Sequence, residues 1–198
     1  LLSLEFTRQM QATYGLDPNT GSVAEISKLP HLDNEDRQTA EVLREILSHY
    51  LAGIPGKNVT ERTKVALSRL VREQAFTVLN RLVAIRMAEA RSVLMESIAK
   101  GYDSAGFNGY KLLAGSSHGQ TGDAYRNYLF SLFDELNLEL TLLFDRNSAQ
   151  GLLFPREAAL ETLLQEINHP EIEQLWAEDE AIGWIYQYYN SQEERKKM

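Results

Sequence analysis

Apolar side chains recur three and four residues apart in segment after segment of this chain, the interval that gathers them on one side of an α-helix. From Leu1 to Tyr14, Leu4, Phe6, Met10 and Tyr14 keep near-helical spacing until Gly15 and Asp17-Pro18 stop it. Beyond Leu29-Pro30, Asp33 is placed to cap a second helix with the apolar stripe Leu43, Ile46, Leu47, Tyr50 and Leu51, broken by Gly53-Ile54-Pro55-Gly56. The longest pattern runs from about Thr60 to Lys100 and opens on Asn58 and Glu61, an arrangement that caps free backbone N–H groups. At about 100° per residue, Leu67, Val71, Val78, Leu82 and Ile85 form one apolar face, and Val65, Phe76, Val83, Met87 and Leu94 a second. A helix apolar on two sides belongs in the middle of a bundle. Between those faces Arg62, Arg69, Glu73, Asn80 and Arg91 follow at spacings of seven, four, seven and eleven, a narrow polar stripe suited to phosphate or to another helix.

Gly101 to Gly122 contains six glycines and reads as a long connection, with Phe107, Tyr110, Leu112 and Leu113 docking part of it against the core. Asp123 caps a helix through Leu136 that turns Tyr125, Leu129, Leu132, Phe133 and Leu136 inward, and Leu138 to Phe144 is either its end or a short extended piece. Pro155 suits the first position of a helix reaching Ile167, Pro170 starts a short one through Trp176, and Asp179 to Asn190 is the last before a charged stretch, Glu193 to Lys197. The expected fold is all-α, an irregular multi-helix bundle around one long central helix (about 60–100). Its expected parts are an N-terminal helical subregion at 1–56, a main helical domain at 57–190, and at 191–198 the start of a linker to a catalytic domain.

Composition places the chain in the ordinary globular class, with 43% hydrophobic and 24% charged residues in 198. The absence of cysteine excludes disulfides, thiolate metal sites and a cysteine nucleophile, and fits a reducing cytoplasm, the expected location. No apolar run approaches the roughly 20 residues of a membrane helix, and Glu5 and Arg8 spoil a signal-peptide layout, so no membrane partner is expected. A net charge of −8 argues against non-specific nucleic-acid binding by the whole surface. The charge is uneven: Lys57 to Arg91 holds eight basic and three acidic residues, which leaves twelve basic against twenty-five acidic elsewhere. Arginine is the usual residue for interior ion pairs, so the first reading of this basic element is pairing with the acidic shell around it.

Five features invite a chemical reading. Asp17-Pro18-Asn19-Thr20-Gly21-Ser22 is comparable to the Asp-Pro-x-x-Gly-Ser-Gly loop with which many DNA methyltransferases cradle S-adenosylmethionine, but a helical pattern precedes it and Val23 replaces the second glycine. An ordinary Asp-Pro turn explains it. Gly115 to Gly122 lacks the Gly-Lys-Ser/Thr ending of a phosphate loop, and reads as a surface loop. His31, His49, His118 and His169 make no pair at ligand spacing, and Glu178-Asp179-Glu180 is an acidic helix start, so no metal is expected. Trp176, Trp184, Tyr186, Tyr188 and Tyr189 carry rings at helical spacing, which suits core or interface better than base stacking.

Two stretches carry more than composition. Glu61 to Leu82, continuing to Met87-Ala88-Glu89, resembles the long helix before the catalytic core of PglX-type proteins, the adenine-specific DNA methyltransferases of BREX phage-defence systems, and of their type IIG restriction relatives. Trp176-Ala177-Glu178-Asp179-Glu180-Ala181-Ile182-Gly183-Trp184-Ile185-Tyr186-Gln187-Tyr188-Tyr189-Asn190 resembles the segment leading into that core. With Asp123 to Arg146 between them, the likeness covers most of Glu61 to Asn190. In that family, methyl transfer from S-adenosylmethionine to adenine N6 needs a glycine-rich cofactor loop and an Asn-Pro-Pro-Tyr motif that holds the flipped base. Neither motif occurs here, so no catalytic or cofactor residue is carried over.

The resemblance implies a non-catalytic helical domain whose partners are its own methyltransferase domain and, through the parent protein, DNA; S-adenosylmethionine is the parent's cofactor. Arg62, Arg69 and Arg91 are the candidates for phosphate contact, which orients an enzyme on a duplex without reading sequence. Trp176, Trp184, Tyr188 and Tyr189 are the candidates for the domain interface. The alternative is a protein-interaction module that recruits other defence-complex subunits through its acidic surface.

Overall fold

The computed structural model describes residues 1–114 and 121–178, and the fold is all-α, as the periodicity predicts. The chain gathers into two compact units, Leu1–Val78 with Asp145–Ala159, and Leu79–Phe144 with the described residues from Leu160 onward. The longest helix, α3 (Val59–Ala90), gives its residues to Val78 to the first unit and those from Leu79 to the second.

In the first unit, α1 (Leu2–Ala12) buries Phe6 and Met10, while Leu4 stays exposed although its spacing fits the stripe. Gly15 ends this segment with φ at +63°, and a Cβ there would lie 2.8 Å from that of Ala24, so the turn requires glycine. A hairpin that periodicity did not predict follows: β1 (Leu16–Asp17) pairs antiparallel with β2 (Ser22–Val23), Leu16 opposite Val23. The second helix, α2 (Asn34–Gly53), starts where expected, because the Asp33 carboxylate accepts the Asp36 N–H at 2.8 Å. Its Arg44 donates to the Tyr14 and Ala24 carbonyls at 2.8 and 2.7 Å and so ties both ends of the hairpin to the helix. Asn58 caps α3 as predicted, accepting the Glu61 N–H at 3.2 Å. Val65 departs from its expected apolar face and is exposed. The segment Asp145–Ala159 is held by buried amides: Gln74 donates to the Ala149 carbonyl at 2.7 Å and accepts the Leu153 N–H at 3.0 Å, and Gln9 donates to the Phe154 carbonyl at 2.9 Å.

In the second unit, α3 stops at Ala90 rather than near Lys100. The cause is a Schellman closure, with Val93 N–H on the Ala88 carbonyl and Ser92 N–H on the Glu89 carbonyl, both at 2.9 Å, and Ser92 in the left-handed region at φ 58°. The stretch expected to be a connection holds a 3-10 turn (Gly101–Asp103) and α4 (Ala105–Ala114). Phe107 docks as expected, whereas Leu112 and Leu113 stand in solvent. Helix α5 (Thr121–Asn137) buries Tyr125, Leu129 and Phe133. A turn and the short α6 (Thr141–Phe144) then settle the open reading of 138–144 in favour of helical geometry. Helix α7 (Glu157–Ile167) and a 3-10 helix started by Pro170 (Pro170–Ala177) complete the described chain. The helix expected over 179–190 and most of the loop from Gly115 to Gly122 lie outside the described residues.

Candidate functional site

The Asp17 segment is built as a turn. Its carboxylate accepts from the Asn19 N–H at 2.9 Å, from Thr20 Oγ1 at 2.7 Å and from Gln11 Nε2 at 2.7 Å. Those donors hold the carboxyl well below its ordinary value, at about 2, with Gln11 the largest cause. Gly21, at φ +75°, has no room for a ligand against its α-carbon, since even a Cβ would fall 2.7 Å from the Thr60 carbonyl oxygen. The hydrogen bonds and the crowding together account for Asp17, Thr20 and Gly21 as hairpin residues.

The three arginines of the polar stripe do different things. Arg62 donates to the Leu51 carbonyl in the last turn of α2, where helix carbonyls lack partners. Arg69 Nε meets Glu73 Oε1 at 2.7 Å, its guanidinium lies 4.2 Å from the centre of the Tyr50 ring, and the Tyr50 hydroxyl donates to the other Glu73 oxygen. Burial and the Glu73 carboxylate push the Tyr50 phenol above its ordinary value. Arg62 and Arg69 belong to the first unit; Arg91 belongs to the second, exposed just beyond the end of α3.

One cluster of polar groups is not singled out by the spacing of the sequence. Glu89 accepts three consecutive backbone N–H groups, from Ser97 at 2.7 Å, Ile98 at 2.5 Å and Ala99 at 2.9 Å. Burial pushes its carboxyl upward, against the pull of those N–H groups and of Arg86. The Ser97 hydroxyl donates to the Met95 carbonyl at 2.9 Å, so at its 2.5 Å contact with Tyr128 the phenol is the donor, and Tyr125 donates to the Ser97 carbonyl at 2.7 Å. Arg86 reaches Glu173 at 2.5 Å and Asn168 at 3.2 Å, and Asn168 returns to the Ile98 carbonyl at 2.8 Å. Arg81, fully buried, donates to the Leu143 carbonyl at 2.7 Å and faces the Phe133 ring at 5.7 Å. A signal for part of this exists in the sequence: Gln74 and Arg81 follow Leu67 at exact heptad steps, so they stand on its buried stripe.

Chemically, this cluster is a fastening. Among the described residues the Ser97 hydroxyl meets the Met95 carbonyl and the Tyr128 phenol and no histidine, and Glu89 accepts from three backbone donors. Trp176, expected at a domain interface, is turned into the second unit, where its indole N–H donates to the Ile167 carbonyl at 3.0 Å. Trp184, Tyr188 and Tyr189 lie outside the described residues. The described residues hold no group of His, Asp or Glu able to bind a metal ion, and no helix among them is long and apolar enough to cross a membrane. No protein-family model, curated protein or solved structure matches this chain.

Proposed function

We propose that this chain is the non-catalytic N-terminal helical domain of an S-adenosylmethionine-dependent, adenine-N6-specific DNA methyltransferase of a restriction–modification or phage-defence system. The observation that carries the reading is the resemblance along Glu61 to Glu89 and Trp176 to Asn190. The use of polar side chains supports it: Arg62, Arg69, Arg81, Arg86 and Glu89 are bonded within their own units, which suits a scaffold better than a reaction centre. In this reading Arg62, Arg69 and Arg91 contribute phosphate contacts that orient the parent enzyme. Neutralising Arg62 or Arg69 also removes an internal bond, so the DNA binding of each variant is read beside its far-UV circular dichroism.

The test has two arms. Calorimetry of the chain with S-adenosylmethionine is expected to give no binding heat, and the coding sequence beyond residue 198 is expected to encode a strand, a glycine loop and Asn-Pro-Pro-Tyr. Cofactor binding by the chain alone, or a downstream sequence without those motifs, overturns the proposal. The second reading, a module that recruits other defence-complex subunits, is favoured by one observation, the exposed leucines between α5 and α6. A mobility-shift assay at low salt separates the two, since DNA is retarded only under the first.

A further inference from the structure

Asn108-Gly109 is the single Asn-Gly pair of the sequence, and it lies within α4. An asparagine followed by glycine is open to attack by its own backbone, because the next residue's nitrogen can close a five-membered ring on the side-chain amide carbon. Glycine favours the closure, since it has no Cβ to obstruct the ring and its backbone reaches conformations that other residues avoid. Here Asn108 is exposed to water, and a Cβ built on Gly109 meets nothing within 4 Å, so the ring has room. The departing amide is lightly held, by one bond of 3.3 Å from Asn108 Nδ2 to the Asp103 carbonyl.

The helix opposes the reaction. In a formed α-helix each N–H points along the axis to the carbonyl four residues back, away from its neighbour's side chain. Ring closure therefore waits until α4 opens, and α4 is built to open easily. It has ten residues, short of the roughly 12–15 below which an isolated helix is marginal, and two of them are glycines, the weakest helix formers after proline. Among its residues Phe107 alone is buried, its ring 5.0 Å from that of Tyr125 and 5.7 Å from that of Tyr128. An element with so little buried apolar surface opens before the rest of its unit.

We propose that Asn108 is a site of spontaneous covalent modification, converted through a succinimide to aspartate and isoaspartate at a rate set by the opening of α4. The Gly109 nitrogen gives its proton to base and bonds to Asn108 Cγ; the Cγ–Nδ2 bond breaks, and ammonia leaves with a proton from water. Water then opens the ring at either carbonyl, so the sum is asparagine plus water to acid plus ammonia, with nothing oxidised or reduced. The isoaspartate form carries the main chain through the side chain and adds one atom to the backbone between 108 and 109, so the hydrogen-bond ladder of α4 cannot close across it. The inference does not rest on the methyltransferase reading.

The test is peptide mapping by mass spectrometry of the whole folded chain, held in mildly alkaline buffer well below its Tm, with chromatography to separate the aspartate and isoaspartate peptides. Asn108 is expected to convert ahead of the exposed Asn19, Asn58 and Asn147, and Gly109→Ala to lose the conversion over the period in which the parent reacts by half. Gly106→Ala keeps the Asn-Gly pair but crowds α4, and should raise the rate roughly tenfold or more. Should circular dichroism show that this variant does not fold, the parent chain in urea below its unfolding transition decides instead. Local opening gives a rate that climbs with a shallower slope than global unfolding. The proposal is overturned if Asn108 stays intact in the folded chain while the urea-unfolded chain converts, if folded Gly106→Ala reacts no faster than the parent, or if the rate in urea follows the globally unfolded fraction alone.

Discussion

Ser92 takes the left-handed conformation at the position that glycine usually fills after a helix, with φ at 58°. That geometry costs a residue with a Cβ about 1–2 kcal/mol, and glycine returns about 0.5–1 kcal/mol of this as added entropy of the unfolded chain. The first term is the larger, so Ser92→Gly is expected to stabilise the protein by about 0.5 kcal/mol, read as a higher urea midpoint at unchanged slope. Two glycines of α4 give an opposed pair. A Cβ on Gly106 would meet the Tyr128 hydroxyl at 2.1 Å and the Glu96 carbonyl oxygen at 2.7 Å, and the second of these is backbone that cannot step aside. Nothing lies within 4 Å of one on Gly109. Gly106→Ala should therefore cost about 1–3 kcal/mol, while Gly109→Ala should add up to about 1 kcal/mol through helix propensity. Thermal melts of the two variants that moved in the same direction would show that local packing does not control α4.

Among elements, the junction between α3 and the turn at 97–99 depends on a single carboxylate. Glu89→Ala leaves three backbone N–H groups without their acceptor, at about 1–3 kcal/mol each before water is admitted, and a loss of about 3 kcal/mol or more is expected. Glu89→Gln keeps one acceptor oxygen and should lose less. The pH dependence has a definite sign. Burial raises the folded-state value of this carboxyl above its ordinary 4.5, so the folded protein binds the extra proton and Glu89's contribution declines as pH rises from about 4.5 through that raised value. The stability difference between the parent chain and Glu89→Gln should accordingly shrink or reverse across that interval in denaturant titrations, and a difference that grows with pH would refute the assignment. This junction also shows where sequence reading stops. Periodicity located the bodies of α1, α2, α5 and α7 because each has one apolar stripe with Pro, Gly or Asp at its limits. It carried α3 ten residues too far because the closing residue is Ser92, which sends no glycine signal, and because Met87 and Leu94 continue the apolar rhythm past the break. The polar anchors Gln74, Arg81, Arg86 and Glu89 were hidden for a different reason. What sets their roles is a partner carbonyl, N–H or carboxylate that no spacing rule supplies, whereas Arg62, Arg69 and Arg91 stood out only by recurring on one side of a helix.

For the molecule as a whole, the relevant quantity is the contrast between a net charge of −8 and a segment around α3, Lys57 to Arg91, carrying five more positive than negative charges. Added salt weakens attraction and repulsion alike, but it acts first on charges exposed to solvent. Arg81 and Arg86 are buried and bonded at 2.7 and 2.5 Å, so their interactions are screened least. The exposed pairs, such as Lys64 with Glu61 at 2.9 Å and Lys100 with Glu96 at 2.8 Å, are each worth at most about 1 kcal/mol and lose part of that. Against this small loss stands relief of repulsion among the surplus carboxylates, a term that grows with net charge and that screening removes. Repulsion should prevail, so raising sodium chloride from about 20 mM to about 300 mM, where the screening length falls from roughly 20 Å to under 10 Å, is expected to raise the Tm by about 2–4 °C. A Tm that falls over the same range would mean that the surface ion pairs contribute more to this protein's stability than its excess negative charge takes away.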